Sequence, residues 1–235
     1  MLVNGIDDAK NNLAEACFKS NIHGFFLTFG LLFEIIDFER FGKYEYVNRL
    51  IDSLVQNAIA SWKVTREVLQ HDSPEGNLPE EIENNYSAKL EAQYGKGTQV
   101  ISSYAWRTLK ESSVLLDSLI NNAPLKSDLI LLIGPLLREQ LATIRHRGAF
   151  SAVYPTYVSC CLKCRKIPEL RFLGKQWLDK DLELVTEKSD FITRRSAGIP
   201  YLITGNLTAH PELIGKTFNT LEAVTHIVAD PAQTI

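Results

Sequence analysis

The segment from residue 45 to residue 69 constrains the fold most strongly. Its apolar side chains recur at intervals of three and four residues, with polar side chains such as Asn48, Arg49 and Asp52 between them. This spacing gives an α-helix one apolar face and one polar face. A helix of this kind must bury its apolar face against other elements. The apolar residues are Val47, Leu50, Ile51, Leu54, Val55, Ala58, Ile59 and Trp62.

The remainder of the chain is also predicted to be helical. No segment alternates apolar and polar residues as a strand would, and no hairpin turn signal separates apolar runs. Pro168 and Pro211 fit the first turn of a helix, and Asp128 is a candidate N-cap. The sequence therefore predicts an all-α protein. Helices are expected at about 22–36, 99–121, 127–144, 148–166, 168–187, 194–209 and 211–228.

The spacing of these helices predicts the organisation of the chain. Proline, glycine and a cluster of acids interrupt the helical pattern after residue 71, which is typical of a loop. We therefore expect helical repeats in 1–71, an acidic loop or disordered insertion in 72–98, and helical repeats in 99–235. Helices of these lengths joined by short turns are typical of stacked antiparallel pairs in an armadillo or HEAT α-solenoid, although a compact bundle is an alternative. A solenoid end normally carries a polar capping repeat, and the absence of one here predicts a piece of a longer protein.

Composition excludes several classes of protein. Hydrophobic residues make up 45% and charged residues 23% of the 235 residues, which argues against a disordered chain. The first eight residues show no basic region followed by an apolar stretch, so we expect no signal peptide, and no apolar run reaches the roughly 20 residues that a bilayer requires. The four cysteines do not form a disulfide framework. We therefore expect a cytoplasmic protein that does not contact a membrane.

Motifs for catalysis and metal binding are incomplete. Cys161 and Cys164 form a C-x-x-C pair, but a structural zinc needs four ligands and no second close pair exists. Lys216 and Thr217 resemble the end of a phosphate loop, but the required first glycine is replaced by His210. The sequence therefore predicts no catalytic residue, no metal site and no cofactor in this chain, and it predicts that the clustered cysteines are buried helix residues.

One stretch of the chain is distinctly basic. Between residues 145 and 178 seven cationic side chains are accompanied by a single acid, Glu169. On consecutive helices of a solenoid these side chains could line one surface and contact RNA phosphates, and a solvated helix exterior is the alternative. The aromatic residues Tyr154, Tyr157 and Phe172 are expected to be core residues. The candidate phosphate contacts are Arg145, Arg147, Lys163, Arg165, Lys166, Arg171 and Lys175.

The run from residue 194 to residue 200 suggests a docking site. It consists of Arg194, Arg195, Ser196, Ala197, Gly198, Ile199 and Pro200. The small residues allow a backbone or a phosphate to approach closely, and the two arginines beside them offer forked donors. The alternative is a tight crossing of two helices, with the arginines paired to acids such as Asp190.

This run resembles the Arg-Arg-Ser-Ala-Gly-(Leu/Ile)-Pro motif of the THADA family. Two further segments, residues 103–112 and 146–150, resemble the same family in the same order, so the resemblance covers roughly 101–211. Members of the family are very long α-solenoids, and the chain therefore resembles an internal fragment or a truncated product. The seven residues 194–200 would match the family motif position by position.

The resemblance implies a function that the residues alone do not show. Fungal members are non-catalytic partners of an FtsJ-like methyltransferase, which transfers a methyl group from S-adenosylmethionine to the ribose 2′-hydroxyl of nucleotide 32 in the tRNA anticodon loop. The implied role here is a non-enzymatic scaffold whose partners are that enzyme and tRNA, with the methyl donor bound by the enzyme. A protein-interaction solenoid, such as a transport adaptor, remains the alternative.

Overall fold

The fold is given by a computed structural model, which describes residues 1–71, 76–187 and 198–225. Within these ranges the regular elements are helices and no strand occurs, which confirms the all-α prediction. The 3₁₀ turns Pro168–Leu170 and Pro211–Leu213 precede α11 and α13. The α-helices are α1 (Leu2–Asn11), α2 (Leu13–Lys19), α3 (Ile22–Ile35), α4 (Phe38–Phe41), α5 (Glu45–Gln70), α6 (Glu80–Asn84), α7 (Ala88–Tyr94), α8 (Gly97–Asn122), α9 (Ser127–Thr143), α10 (Arg147–Lys166), α11 (Phe172–Glu187), α12 (Ile199–Ala209) and α13 (Ile214–Thr225).

Most helix boundaries agree with the predicted ones within one or two residues. The N-cap prediction for α9 was wrong, because Lys126 holds that position and Asp128 lies inside the first turn. There the carboxylate still faces the positive end of the helix dipole. The helix predicted for 194–209 is described only from Ile199, and residues 194–197 lie outside the described ranges. The predicted end of the last helix, 226–228, lies outside them as well.

The segment expected to be an acidic loop is more ordered than predicted. It contains the short helices α6 and α7, neither of which has a buried residue. The Tyr94 ring stacks on Phe18 of α2 with the ring centroids 4.1 Å apart, and Leu78 is buried. Apolar and aromatic residues among the acids therefore hold this segment against the body. Residues 72–75 are not described.

The helices α3, α8, α10 and α12 form one layer and run in the same direction. In each neighbouring pair, a residue early in one helix contacts a residue early in the other, and late residues contact late residues. The two helices of a pair are therefore parallel. The paired residues are Ser20–Tyr104 and Phe33–Asn122 for α3 and α8, Trp106–His146 and Ser113–Thr156 for α8 and α10, and Phe150–Tyr201 and Arg165–Ala209 for α10 and α12.

The helices α5, α9 and α11 form a second parallel layer. Trp62 and Gln70 of α5 bond to Glu139 and Thr143 of α9 in that order. Gly134 and Arg138 of α9 meet Trp177 and Asp181 of α11 in the same way. The short link after α9 returns the chain to Trp106 near the start of α8, so α9 runs opposite to α8. Successive helices therefore form stacked antiparallel pairs, as the solenoid prediction requires.

Buried side chains from both halves of the chain share one core. The main cluster extends from Leu2 to Ala209, and a smaller one joins Leu178 and Leu182 of α11 to Ile199 and Ile203 of α12. Helices on both sides of the acidic segment therefore pack together. The division into 1–71, 72–98 and 99–235 stays a prediction about how the sequence is organised.

A buried ion pair connects α9 with α11. The guanidinium of Arg138 donates to both carboxylate oxygens of Asp181, at 2.8 and 2.6 Å. The Asp181 side chain is fully buried, and the Arg138 side chain is 15% exposed. Arg138 also donates to the Tyr157 hydroxyl and lies 5.5 Å from the centre of the Trp177 ring. This bidentate pair fixes the register of the two helices.

Candidate nucleic-acid interface

The described end of the Arg194–Pro200 run begins helix α12. Gly198 is the N-cap, Ile199 is buried in the smaller core cluster, and Pro200 occupies the first turn, where its missing N–H has no helical partner. Arg194, Arg195, Ser196 and Ala197 lie outside the described residues. The structure therefore shows how the run ends in a helix, and the docking role of its arginines stays a prediction.

Gly198 lies against the backbone of α9. A Cβ atom added to Gly198 would lie only 1.9 Å from the carbonyl oxygen of Leu141 and 3.3 Å from Cα of Ala142. Since only glycine lacks that atom, only glycine permits this approach. The sequence left open whether the small residues admit a ligand or a neighbouring helix. At Gly198 the close neighbour is helix α9 of the same chain.

Three segments that resemble the THADA family meet at one edge of the first layer. Trp106 stacks on His146 with ring centroids 6.3 Å apart, and a Cβ on Gly148 would lie 3.1 Å from the Trp106 Nε1. Phe150 packs edge-on against Tyr201, which follows Pro200, at 4.6 Å. We call this surface the motif edge, formed by Trp106, His146, Gly148, Phe150, Gly198, Ile199, Pro200 and Tyr201.

The seven basic candidates divide into two groups. Arg145 and Arg147 lie at the start of α10, beside the motif edge, and the exposed Arg147 is the first residue of that helix. The other five lie at or beyond the opposite end of α10, a helix of 20 residues that spans about 30 Å. The sequence suggested that these side chains line one continuous surface. In the structure they form two separate basic regions. The second group is Lys163, Arg165, Lys166, Arg171 and Lys175.

Three members of the second group line an open groove. Its volume is about 680 Å³. Its walls come from the ends of α10 and α12, the beginning of α11 and the 3₁₀ turn that precedes α13. Its floor includes His210, whose side chain is 7% exposed. We call this feature the basic groove. Its lining residues are Arg165, Arg171, Phe172, Lys175, His210, Glu212 and Leu213.

Some of these bases have structural partners. Arg165 donates to the carbonyl oxygen of Ala209 and to Glu212 at 3.0 Å, so it connects α10 to the end of α12. Arg171 donates through Nε to the carbonyl of Arg165 at 2.9 Å. Lys175 is exposed and forms no ion pair with another described residue. Lys175 therefore has an ammonium group available for an anion.

The local charge is positive next to the groove. Burial and the neighbouring charge of Lys166 lower the pKa of Lys163 below its ordinary value. Lys163 and Lys166 therefore place two like charges near each other at the end of α10. On the opposite wall, hydrogen bonds from its own backbone N–H and from His210 lower the pKa of Glu212, so this carboxylate is ionised. An anion entering the groove would meet three cations and one carboxylate.

The three aromatic residues of the basic stretch differ in solvent exposure. Tyr157 is fully buried, as predicted, and Tyr154 is half-buried against Tyr201. The prediction was wrong for Phe172, whose side chain is 59% exposed. Phe172 begins α11 on the side that faces solvent, and its apolar character alone could not reveal this. The groove residues His210, Glu212 and Leu213 were also missed, because only the fold brings the turn between α12 and α13 beside α11.

Other sites considered from the sequence have ordinary structural explanations. Cys160, Cys161 and Cys164 are free, helical and buried, as predicted, and burial raises the pKa of the Cys161 thiol to about 12. In the described parts of the chain no three His, Cys, Asp or Glu residues gather into a group that could hold a metal ion. None of the described helices has the length and apolar character needed to cross a membrane.

Comparison with known families decides which family this arrangement belongs to. A family model described as THADA/TRM732, DUF2428 matches residues 49–234, which include the motif edge, both basic groups and the whole Arg194–Pro200 run. The chain belongs to the THADA/TRM732 family. No solved structure significantly matches this THADA/TRM732 chain.

Curated relatives of this THADA/TRM732 chain share one description. The chain is 36% identical to the tRNA (32-2′-O)-methyltransferase regulator trm732 of Schizosaccharomyces pombe. The match covers 95% of the chain and 16% of that relative. The chain is 27% identical to the tRNA (32-2′-O)-methyltransferase regulator THADA of Drosophila melanogaster, over 85% of the chain and 14% of that protein. The human THADA match is 33% identical over 48% of the chain. The chain thus spans about a sixth of the yeast relative, and the resemblance extends beyond the predicted 101–211.

Proposed function

We propose that this chain is part of a non-catalytic scaffold that regulates tRNA ribose methylation. The partner would be an FtsJ-like methyltransferase that binds S-adenosylmethionine and modifies the 2′-hydroxyl of nucleotide 32 in the anticodon loop. The observation that carries the proposal is the motif edge, because three family-like segments that are distant in sequence meet there in space. Relatives named as regulators of this methyltransferase support the same role.

The proposal assigns different roles to the parts of the motif. Gly198, Ile199 and Pro200 fix the start of α12 against α9. Arg194 and Arg195 precede Gly198 in the sequence by four and three residues. We assign them to docking of the enzyme or of tRNA, since a guanidinium can bind carboxylate or phosphate with two parallel hydrogen bonds.

The basic residues would contribute tRNA affinity. Arg147 lies beside the motif edge, Lys166 is the last residue of α10, and Lys175 lies in the first turn of α11. Two basic regions about 30 Å apart could contact phosphates on separate parts of one tRNA. Such contacts position an RNA without reading its bases, which suits a subunit that presents tRNA to a separate enzyme.

The test replaces both motif arginines in the protein purified with its methyltransferase. Arg194→Ala combined with Arg195→Ala should abolish 2′-O-methylation of nucleotide 32, measured by mass spectrometry of nuclease-digested tRNA. The matched control is Arg40→Ala combined with Arg49→Ala, which removes the same charge from exposed positions on α4 and α5. Circular dichroism should show unchanged helicity in both proteins. Normal methylation by the motif variant would overturn the proposal and favour an interaction solenoid without an RNA role.

A further inference from the structure

Phe172 occupies an unusual position between two open cavities. It is the first residue of α11, its side chain is 59% exposed, and it lines the basic groove. It also lines a neighbouring cavity of about 360 Å³, together with Lys175 and Gln176. A large aromatic side chain therefore stands at the boundary of two concave spaces, where a flat ligand could contact its ring.

Cations flank this aromatic residue. Arg171 directly precedes it, and Lys175 follows three residues later, which places Lys175 on the same face of α11. Both line the basic groove with Arg165, and Lys175 lines the second cavity too. An exposed ring beside cations is the combination with which proteins bind single-stranded nucleic acid, since the ring stacks on a base and the cations bind phosphates.

The volume of the groove fits a ligand the size of a nucleotide. Small-molecule sites are typically about 300–1,000 Å³, and the basic groove measures about 680 Å³. A double helix would not use Phe172 in this way, because its bases are stacked on each other and their faces are covered. The combination therefore favours an unpaired nucleotide over a duplex.

We propose that the basic groove binds an unpaired RNA nucleotide, with the base stacked on Phe172 and the phosphate held by Arg171 and Lys175. This inference rests on the proposed function in so far as that function makes tRNA the ligand. It adds a site for unpaired RNA at the end of α10 that lies away from the motif edge. The RNA would then be held at two places on the scaffold.

The experiment measures binding of fluorescently labelled RNA to the chain by anisotropy. One probe is a stem–loop with a seven-nucleotide unpaired loop, and the other is a duplex of the same length. Phe172→Leu keeps an apolar side chain but removes the ring, and should weaken stem–loop binding by about 5- to 150-fold, the loss expected for one base–aromatic stack. Duplex binding should be unchanged. Phe172→Trp should retain stem–loop affinity.

The control is Phe218→Leu on α13. Phe218 is 66% exposed, comparable to Phe172, but lines neither cavity, so its replacement should leave both affinities at the wild-type value. Three results would overturn the inference: wild-type stem–loop affinity in Phe172→Leu, an equal loss on both RNAs, or competition by polyglutamate as strong as by the unlabelled stem–loop, which would indicate an acidic protein ligand.

The two proposals can fail separately. Loss of stem–loop binding in Phe172→Leu supports the groove even if the motif arginines prove irrelevant to methylation. Conversely, loss of methylation in the arginine variant stands even if Phe172→Leu binds RNA normally, because the motif edge and the basic groove lie at opposite ends of α10 and α12.

Discussion

Replacing Gly198 by alanine tests the crossing of α9 and α12 directly. The added Cβ would lie 1.9 Å from the Leu141 carbonyl oxygen, whereas ordinary C···O contacts begin at about 3.3 Å. The two backbones would have to separate by about 1.4 Å. Because both sides of the contact are backbone, no change of rotamer can relieve it. We expect the upper end of the overpacking range, a loss of about 3 kcal/mol in the free energy of unfolding.

This loss is large enough to measure by thermal unfolding. For a chain of this size about 3 kcal/mol corresponds to a decrease in Tm of about 6–12 °C, followed by circular dichroism at 222 nm. Gly215→Ala is the matched control, since Gly215 lies in α13 and nothing lies within 4 Å of its added Cβ. That variant should be unchanged or more stable by up to about 1 kcal/mol. A Tm for Gly198→Ala within about 2 °C of wild type would refute the tight crossing.

Two further predictions concern charged residues. Asp181→Ala leaves Arg138 without its buried partner and should lower the free energy of unfolding by about 3–5 kcal/mol in urea titrations. Lys216→Ala removes an exposed pair and should change it by less than about 1 kcal/mol, so equal effects would contradict the structural assignment. Changing Lys166 and Lys175 together to Gln should make the negative slope of log K for tRNA binding against log salt less steep by about 2, measured by filter binding. An unchanged slope would assign both lysines to solvent.

The helices could be predicted from sequence because each carries its own periodic signal. Val47, Ile51, Leu54, Val55 and Trp62 are all buried, which the spacing along α5 predicted. Prolines at helix starts and small gaps between apolar runs located most other boundaries. The layered arrangement followed from helix length and turn length rather than from any repeated motif.

The candidate site was less predictable because it depends on neighbours in space. The charge of the basic stretch was visible in the sequence, but not its division between the two ends of α10. The exposure of Phe172 depends on which face of α11 packs against Leu202 and Ile203 of α12, and one amphipathic turn does not determine that. The pairing of Arg138 with Asp181 spans 43 residues and has no local signal.

Helix α12 connects the motif edge with the basic groove. Gly198 sets the distance from α9 at one end, and at the other end Ala209 and His210 lead directly into the wall of the basic groove. An 11-residue helix is about 16 Å long, so a shift of about 1.4 Å at its first residue tilts it by several degrees. We therefore expect a change in the spacing at Gly198 to change the width of the basic groove as well.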